Sequence, residues 1–149
     1  MRLSTKGEYA SRAMLEISLH PHQSLHIRDI ASAQDIPLRF LEQILLLLKR
    51  AGYLRSKKGP NGGYYLAKEP AQISVAEVIR VMDGPLAPID CVSVTAHEVC
   101  PRESTCRLRW LWKEVRDNVA EILERTTFED LAEGTKTPNR MQGKMAFKK

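Results

Sequence analysis

Apolar residues recur three and four positions apart along most of this chain, which is the spacing of amphipathic helices. Residues that start or stop helices divide this pattern into segments. The first predicted helix runs from a cap at Ser4 or Thr5 to about Pro21, the second is short and begins at Ile27, and the third covers 37–51. A fourth helix is predicted over 73–82, with Ser74 as its cap and Glu77 completing a capping box. The last begins at Ser104 or Thr105 and continues for about twenty residues. Phe128, Leu131 and Ala132 predict a short final packing turn.

The third helix follows a tight break at Asp35, with Pro37 as its first residue. Its predicted core stripe contains Leu38, Leu41, Ile44, Leu45 and Leu48, with Phe40 and Leu47 alongside. After Gly52, strand patterns at 53–56 and 63–66 enclose a basic, glycine-rich turn. A helix, a sharp turn, a second helix and a basic hairpin are the parts of a winged helix-turn-helix. The predicted fold is mainly α with a small β-hairpin wing, extended by a long C-terminal dimerisation helix.

Polar residues of the third helix lie in its first two turns, the part of a recognition helix that enters the major groove of DNA. Arg39 can bind guanine or phosphate, Gln43 can bind adenine, and Glu42 can accept a hydrogen bond from cytosine N4. A solvated helix face is the alternative for these residues taken alone. Beside this break and this hairpin, contact with DNA bases is the better interpretation.

The hairpin turn contains residues suited to the DNA backbone. Lys57 and Lys58 can neutralise phosphates or enter a minor groove. Asn61 and Gly62 lie in the same turn and are assigned to the same contact. Glycine in this turn lets the backbone approach a sugar–phosphate chain closely. Two lysines directly before a Gly/Pro/Asn run predict a DNA-binding wing rather than an ordinary hairpin.

The positive charge of the chain is concentrated in the same region. Residues 1–68 contain 11 Lys and Arg against 5 Asp and Glu, a net charge of +6, whereas residues 69–125 contain 7 against 10. A length of 149 residues allows one domain and an appendage. We expect a winged helix-turn-helix DNA-binding domain over 1–84, a cysteine loop and dimerisation helix over 85–133, and a disordered basic tail over 134–149.

Several other classes of protein are disfavoured. The longest apolar run, Ile44–Leu48, is far too short to span a bilayer, and the N-terminus has no signal-peptide features. We therefore expect a cytoplasmic protein without a membrane partner. The chain has no phosphate-binding glycine loop, metalloprotease histidine pair or nucleophile–base set, so we expect no enzymatic activity.

Cys91, Cys100 and Cys106 fall within 16 consecutive residues, outside the apolar periodic segments. An odd number of cysteines in a reducing compartment argues against a disulfide framework. Thiolates bind iron–sulfur clusters, zinc or copper(I), and these gaps are wider than the close pairs of a zinc knuckle. The spacing favours an iron–sulfur cluster, with zinc, thiol redox chemistry and no ligand as the alternatives.

The last long helix has an apolar stripe that is too extensive for a small winged-helix domain to cover alone. Its residues are Leu108, Leu111, Trp112, Val115, Val119, Ile122 and Leu123. We expect the stripe to pack against a second copy, forming a homodimer that presents two DNA-binding domains to a two-fold site in double-stranded operator DNA. Folding back onto its own domain is the alternative.

Four segments of the chain resemble the Rrf-type winged helix-turn-helix transcriptional regulators, a family that includes the iron–sulfur cluster regulator IscR and the nitric-oxide-sensing repressor NsrR. The matching segments are MRLSTKGEYA, RDIASAQDIPLRFLEQIL, LRSKKGPNGGYYLAKEP and ISVAEVIRVMDGP. The cysteine loop and the long helix follow in the expected order, so the resemblance covers about residues 1–132. It implies a homodimeric transcription regulator paired through its long helices.

The resemblance also implies roles for individual residues. Glu42 matches the recognition-helix glutamate, Lys58 matches the basic residue of the wing, and the three cysteines match the cluster ligands. Arg109 stands where IscR-like members have a histidine ligand, and the first cysteine gap is longer than in IscR, which leaves both 2Fe–2S and 4Fe–4S clusters open. Other members take a carboxylate from the partner's first helix, and the matching residue is Glu8. Local rivals for this fourth ligand are Asp90, His97, Glu98 and Glu103.

These patterns together predict a DNA-binding transcriptional regulator, a repressor, whose DNA binding is controlled by an iron–sulfur cluster. One alternative is a cluster-free regulator of the same fold that senses through a reactive thiol or a small ligand. Another is an RNA-binding module without a cofactor.

Overall fold

The computed structural model describes residues 3–135, so residues 136–149 of the predicted tail lie outside the described residues. The elements are α1 (Thr5–Ser18), α2 (Ile27–Gln34), α3 (Leu38–Arg50), β1 (Leu54–Lys57), β2 (Gly63–Leu66), α4 (Val75–Asp83), α5 (Arg109–Arg125) and α6 (Phe128–Glu133). Short 3₁₀ segments cover Pro70–Gln72 and Asp90–Val92. This mainly α fold with one antiparallel hairpin confirms the predicted fold class.

The hydrophobic core lies where α1 packs against α2, α3, α4 and α6. The largest fully buried side chains are Met14, Ile17, Ile30, Leu41, Ile44, Leu45, Leu48, Leu54, Ile73, Val78 and Phe128. Phe128 has the greatest volume of this set. The last helix therefore completes the core formed with α1–α4, although it follows α5 in sequence.

The start of α1 is attached to the end of α4. Ser4 caps α1, as predicted, because its Oγ accepts the N–H of Gly7 at 3.0 Å. Asp83 accepts the Ser4 N–H at 3.0 Å and also its hydroxyl. A Cβ on Gly7 would lie 2.7 Å from the Asp83 carboxylate, so a larger residue at position 7 would displace that side chain. A carboxylate at a helix N-terminus also interacts favourably with the helix dipole.

The turn between α2 and α3 differs from the prediction by one residue. Asp35 ends α2 in the left-handed conformation, with φ 50° and ψ 51°, and Ile36 is buried beneath it. Pro37 is extended, and its carbonyl accepts the N–H of Phe40 at 3.0 Å. Pro37 is thus the cap of α3 rather than its first helical residue.

The core stripe of α3 is shorter than predicted. Leu41, Ile44, Leu45 and Leu48 are buried as expected. Leu38 is 38% exposed and Phe40 is 56% exposed, so their predicted core positions are wrong. Both belong to the first turn of α3, which extends beyond the core.

The hairpin pairs Leu54 with Leu66, Arg55 with Tyr65, Ser56 with Tyr64 and Lys57 with Gly63. Its first strand is displaced by one residue from the prediction: Tyr53 lies outside the strand and Lys57 within it. Gly52, with φ +85°, ends α3 in a left-handed conformation, as predicted. A further bridge pairs Tyr64 with Leu25, so β2 is the inner strand and β1 lies at the edge.

Two capping boxes lie side by side at the starts of α4 and α6. Ser74 and Glu77 form the predicted box, with the Ser74 N–H donating to Glu77 Oε2 at 2.8 Å. Thr127 and Asp130 form the second box. Two backbone hydrogen bonds of 2.9 and 3.0 Å join the segments in front of the helices. This junction returns the chain from α5 to the core.

The long helix α5 begins at Arg109, later than the predicted start at Ser104 or Thr105. The preceding residues form turns whose backbone hydrogen bonds span three residues, such as that from the Glu103 N–H to the Cys100 carbonyl at 2.9 Å. Turns of this kind are wound more tightly than an α-helix and rarely continue for long. The predicted first turn of the helix therefore belongs to the loop.

The apolar residues of α5 lie on two faces rather than on one. Val119 and Leu123 are half-buried beside α4, with which they line an apolar groove. Leu111 and Ile122 are 37% and 42% exposed, and Leu108, the residue directly before α5, is 58% exposed. No residue of α5 is fully buried in the single chain. Among residues 3–135, no helix is long and apolar enough to cross a membrane.

Candidate functional site

The polar residues predicted on the recognition helix share one exposed face of α3. Arg39, Glu42 and Gln43 are all exposed, whereas the neighbouring Leu41 and Ile44 are buried. Positions three and four apart lie on the same side of a helix, so burial of the leucine and isoleucine turns the three polar side chains outward. The structure therefore brings these predicted residues together on one surface.

A contact that the sequence interpretation missed holds α3 against α1. The Arg12 guanidinium donates to the carbonyl of Gln34 at the end of α2. The same guanidinium lies 5.9 Å from the centroid of the Tyr9 ring, which meets the ring of Phe40 edge-on at 6.3 Å. The exposed start of α3 therefore contacts α1 through the Tyr9 and Phe40 rings. In the sequence, this contact was indicated only by the helical spacing of Tyr9 and Arg12, which places the two side chains on one side of α1.

The wing presents its basic residues at the hairpin turn. Lys57, Lys58 and Asn61 are exposed. Gly62 is buried, and its N–H donates to the carbonyl of Gly59 at 2.9 Å. A Cβ on Gly62 would collide with the backbone of Lys57, so no other residue fits this turn without a shift. Of the four predicted wing residues, only Gly62 is buried.

The wing is joined to the segment in front of α2. Tyr64 and Leu25 exchange backbone hydrogen bonds of 2.8 and 2.9 Å. Gly63 has φ +144°, and a Cβ there would collide with the Leu25 carbonyl. The His26 ring reaches the Pro60 carbonyl at 3.0 Å. The helix-turn-helix and the wing therefore form one packed unit.

The three cysteines lie along the loop between α4 and α5. Cys91 is in the 3₁₀ segment, Cys100 precedes the turns, and Cys106 stands three residues before α5. Each thiol is partly exposed and forms no disulfide. Within residues 3–135, no three or more His, Cys, Asp or Glu side chains are arranged to hold a metal ion. One chain by itself therefore does not gather the predicted ligands.

The first part of the loop is fastened to the middle of α5. Val92 and Ser93 are buried. The Arg116 guanidinium, only 13% exposed, donates to the Val92 carbonyl and pairs with Asp117. A charged hydrogen bond therefore connects the segment around Cys91 to α5.

A second anchor lies between Cys100 and Cys106. The Glu103 carboxylate accepts from Arg109 at 2.6 Å and contacts Nε2 of His97 at 3.2 Å. Burial alone would raise the pKa of the Glu103 carboxyl, but the His97 hydrogen bond and the Arg109 charge outweigh it and hold that pKa below its usual value. The sequence interpretation treated Glu103 and His97 as rival ligands and missed this network.

Glu8 lies on the exposed side of α1. Its side chain is 58% exposed and lies 3.7 Å from Arg12, one helical turn later. It belongs to no metal-holding group with the cysteines of its own chain in the part that the structure describes. A ligand role for Glu8 therefore involves a second copy. The remaining rivals, Asp90 and Glu98, are exposed on the loop.

Comparisons with known proteins agree with this architecture. The family model "Rrf2: Iron-dependent Transcriptional regulator" matches residues 3–134. The chain is 37% identical over 136 residues to the HTH-type transcriptional regulator CymR of Bacillus subtilis, covering 91% of this chain and 92% of that protein. It is 36% identical over 132 residues to the HTH-type transcriptional regulator IscR of Photorhabdus laumondii, covering 88% and 79%. The solved structure of CymR, the global cysteine regulator of B. subtilis, matches with a TM-score of 0.77 at 34% identity, over 91% of this chain and 99% of that chain.

Proposed function

Because the chain belongs to the Rrf2 family of DNA-binding transcriptional regulators, we propose that it is a repressor whose operator binding is controlled by an iron–sulfur cluster. Members of this family are transcriptional regulators, not enzymes. The proposed cluster ligands are Cys91, Cys100 and Cys106. The observation that carries the proposal is that three unpaired, partly exposed thiols occupy one loop that leads directly into α5.

We assign base recognition to the exposed face of α3. Arg39, Glu42 and Gln43 occupy the N-terminal half of the helix and are all exposed. Arg39 would bind guanine or phosphate, Gln43 adenine, and Glu42 cytosine N4. The burial of Leu41 and Ile44 supports this assignment, because it holds the three side chains toward the major groove.

We assign backbone contacts to the wing. Lys57 and Lys58 supply positive charge to phosphates or a minor groove, and Asn61 supplies an amide donor. Gly62 acts indirectly, because it permits the turn that presents these side chains. The attachment of the wing to the segment before α2 supports simultaneous contact by wing and helix.

The donor set fits an iron–sulfur cluster by its chemistry, since three thiolates are soft ligands for iron. We propose that Glu8 of the partner subunit completes the set with an oxygen ligand, which agrees with the exposure of Glu8 on α1. A bound cluster of either the 2Fe–2S or the 4Fe–4S type would make the site sensitive to oxidants, nitric oxide and iron supply. Binding requires all three thiols to be deprotonated.

The loop is suited to control the dimer through α5. Arg116 holds the Val92 carbonyl, and Arg109, the first residue of α5, holds Glu103. A rearrangement of the loop would therefore alter the start of α5. In a homodimer paired through α5, this would change the spacing of the two DNA-binding domains, and with it operator affinity.

The test is to purify the full chain anaerobically and to measure its visible spectrum, iron, acid-labile sulfide and operator binding. We expect a brown protein that loses its colour when Cys91, Cys100 or Cys106 is changed singly to serine. We also expect operator binding to change when the cluster is removed. A colourless anaerobic protein that binds its operator normally would contradict cluster control while leaving the DNA-binding function intact.

A cluster-free regulator that senses through a thiol is the second candidate. It is favoured by the three thiols being partly exposed and not gathered into a metal group within the described part of one chain. It is also favoured by the similarity to CymR, described as a global cysteine regulator. The same serine variants separate the two candidates. Equal effects at all three cysteines support a cluster, whereas an oxidant response that depends on one cysteine supports a reactive thiol.

A further inference from the structure

The segment after the recognition face contains more positive charge than the wing turn explains. No Asp or Glu occurs between Glu42 and Glu69, a stretch with six basic residues. Two of them, Lys57 and Lys58, belong to the proposed wing contact. The other four are Lys49, Arg50, Arg55 and Lys68. Three of these four converge on one surface feature.

That feature is a cleft of about 530 Å³ at the base of the hairpin, where the end of α3 meets the two strands. Lys49, Arg55 and Lys68 line it, together with Tyr65, and no carboxylate does. None of the three cations forms an ion pair with a carboxylate of residues 3–135. The cleft is therefore a concave surface with uncompensated positive charge.

The cations are held at the cleft by neutral groups. The Lys49 ammonium donates to Ser56 Oγ at 2.6 Å. The Lys68 ammonium lies 5.1 Å from the centroid of the Tyr53 ring. Arg55 stands opposite Tyr65 in the hairpin register. The contacts of Lys49 and Lys68 position their charges without neutralising them, which is what an anion site requires.

The cleft continues toward the proposed DNA surface. Arg55 and Lys57 are two residues apart on β1, so they share a face of the strand at a separation of about 6.6 Å. Lys49 lies seven residues after Glu42 on α3, about 10 Å further along the helix axis. The cleft is thus in line with the wing but displaced from the base-reading face.

We propose that this cleft binds phosphate groups of duplex DNA flanking the base pairs that α3 reads. The inference rests on the proposed DNA-binding function and extends its footprint. Phosphate oxygens suit this site because arginine and lysine form charge-assisted hydrogen bonds with them. Contacts to phosphate add affinity without sequence preference, and they make binding depend more steeply on salt.

The test compares two duplexes that share one operator, selected beforehand from random DNA. The short duplex ends at the last base pair read by α3, and the extended duplex continues for about ten base pairs on each side, one helical turn. Operator affinity is measured over a range of salt concentrations for the wild-type chain and for Arg55→Ala and Lys68→Gln. Lys113→Gln is the matched control, because Lys113 is an exposed lysine of α5 outside the cleft.

We expect the wild-type chain to bind the extended duplex more tightly and with a steeper salt dependence. Arg55→Ala and Lys68→Gln should each reduce the slope of log affinity against log salt by about 1 per bound copy on the extended duplex. Both should leave binding to the short duplex and the preferred sequence unchanged. The control should behave as wild type on both duplexes.

Equal affinity of the wild-type chain for the two duplexes would overturn the inference. It would also be overturned if Arg55→Ala and Lys68→Gln gained as much affinity from the flanking base pairs as the wild type does. Arg55 would then serve only to keep the exposed strand β1 from pairing with other strands, a common use of charge at sheet edges. Failure to select any operator from random DNA would instead contradict the proposed DNA-binding function. The two failures are therefore distinguishable.

Discussion

Two residues of the proposed DNA surface illustrate different kinds of recognition. Glu42 is exposed on α3 and can accept a hydrogen bond only from a base that offers a donor in the major groove. Lys58 is exposed at the wing turn and can neutralise any phosphate. Glu42 is therefore proposed to determine which sequence is bound, and Lys58 how tightly duplexes are bound in general.

Substitution with alanine should separate these two effects. We expect Lys58→Ala to weaken binding to all sequences and to reduce the salt slope by about 1 per copy. We expect Glu42→Ala to relax preference at one base pair, a loss of about 1–3 kcal/mol of discrimination. The measurement is titration of both variants against a panel of single-base operator variants. An unchanged panel profile for Glu42→Ala would show that Glu42 does not read a base.

At the scale of elements, the paired capping boxes decide how α6 returns to the core. Asp130 accepts the Thr127 N–H at 2.8 Å and the Thr127 hydroxyl at 2.7 Å. The backbone hydrogen bond, followed by that from the hydroxyl, holds the pKa of the Asp130 carboxyl below its usual value. Because this junction positions the buried Phe128, the ionised form of Asp130 should stabilise the whole domain.

The sign of the pH effect follows from the direction of this pKa. A carboxyl whose pKa is lower in the folded state stabilises it fully above its unfolded pKa of about 3.9, and loses this effect as the pH falls through the folded pKa. We expect Asp130→Asn to lower the free energy of unfolding at pH 7 and to differ progressively less from wild type below about pH 4. Chemical denaturation over this range is the measurement. The control is Glu129→Gln, at an exposed neighbour, which should follow wild type.

At the scale of the whole molecule, α5 has two apolar faces with different uses. Val119 and Leu123 face α4 of the same chain, whereas Leu111 and Ile122 remain exposed at 37% and 42%. The alternative of folding back onto the same chain therefore holds for one face of α5, which packs on α4. We propose that the other face is covered by α5 of a second copy, because an apolar stripe of this length is unfavourable in water.

Placing a charge on the exposed stripe should separate the two copies. We expect Ile122→Glu to raise the dissociation constant of the dimer by about thirtyfold or more, equivalent to about 2 kcal/mol, because the carboxylate would be buried without a partner. Sedimentation velocity should show the wild type at twice the chain mass of 16.9 kDa and the variant shifted toward that mass. Lys113→Glu, which places the same carboxylate at an exposed polar position, should remain dimeric. A monomeric wild type would rule out this pairing.

Much of the fold follows from local chemistry, and those parts were predictable. The Ser4 cap, the capping box of Ser74 and Glu77 and the helix-ending Gly52 depend on residues within one or two turns of each other. The exposed polar face of α3 was equally predictable, because helical spacing alone places Glu42 and Gln43 on one side. Such features need only the periodicity of the backbone and the hydrogen bonds of helix ends.

The tertiary structure decided what depends on distant partners. Leu38 has the spacing of a core residue but lies beyond the edge of the core, and Phe128 fills that core from the far end of the chain. Glu103 becomes the centre of an ion network only because the turns before α5 bring His97 and Arg109 to it. Burial and ion pairing depend on which surfaces meet, and a periodic pattern specifies the face of an element without specifying what covers it.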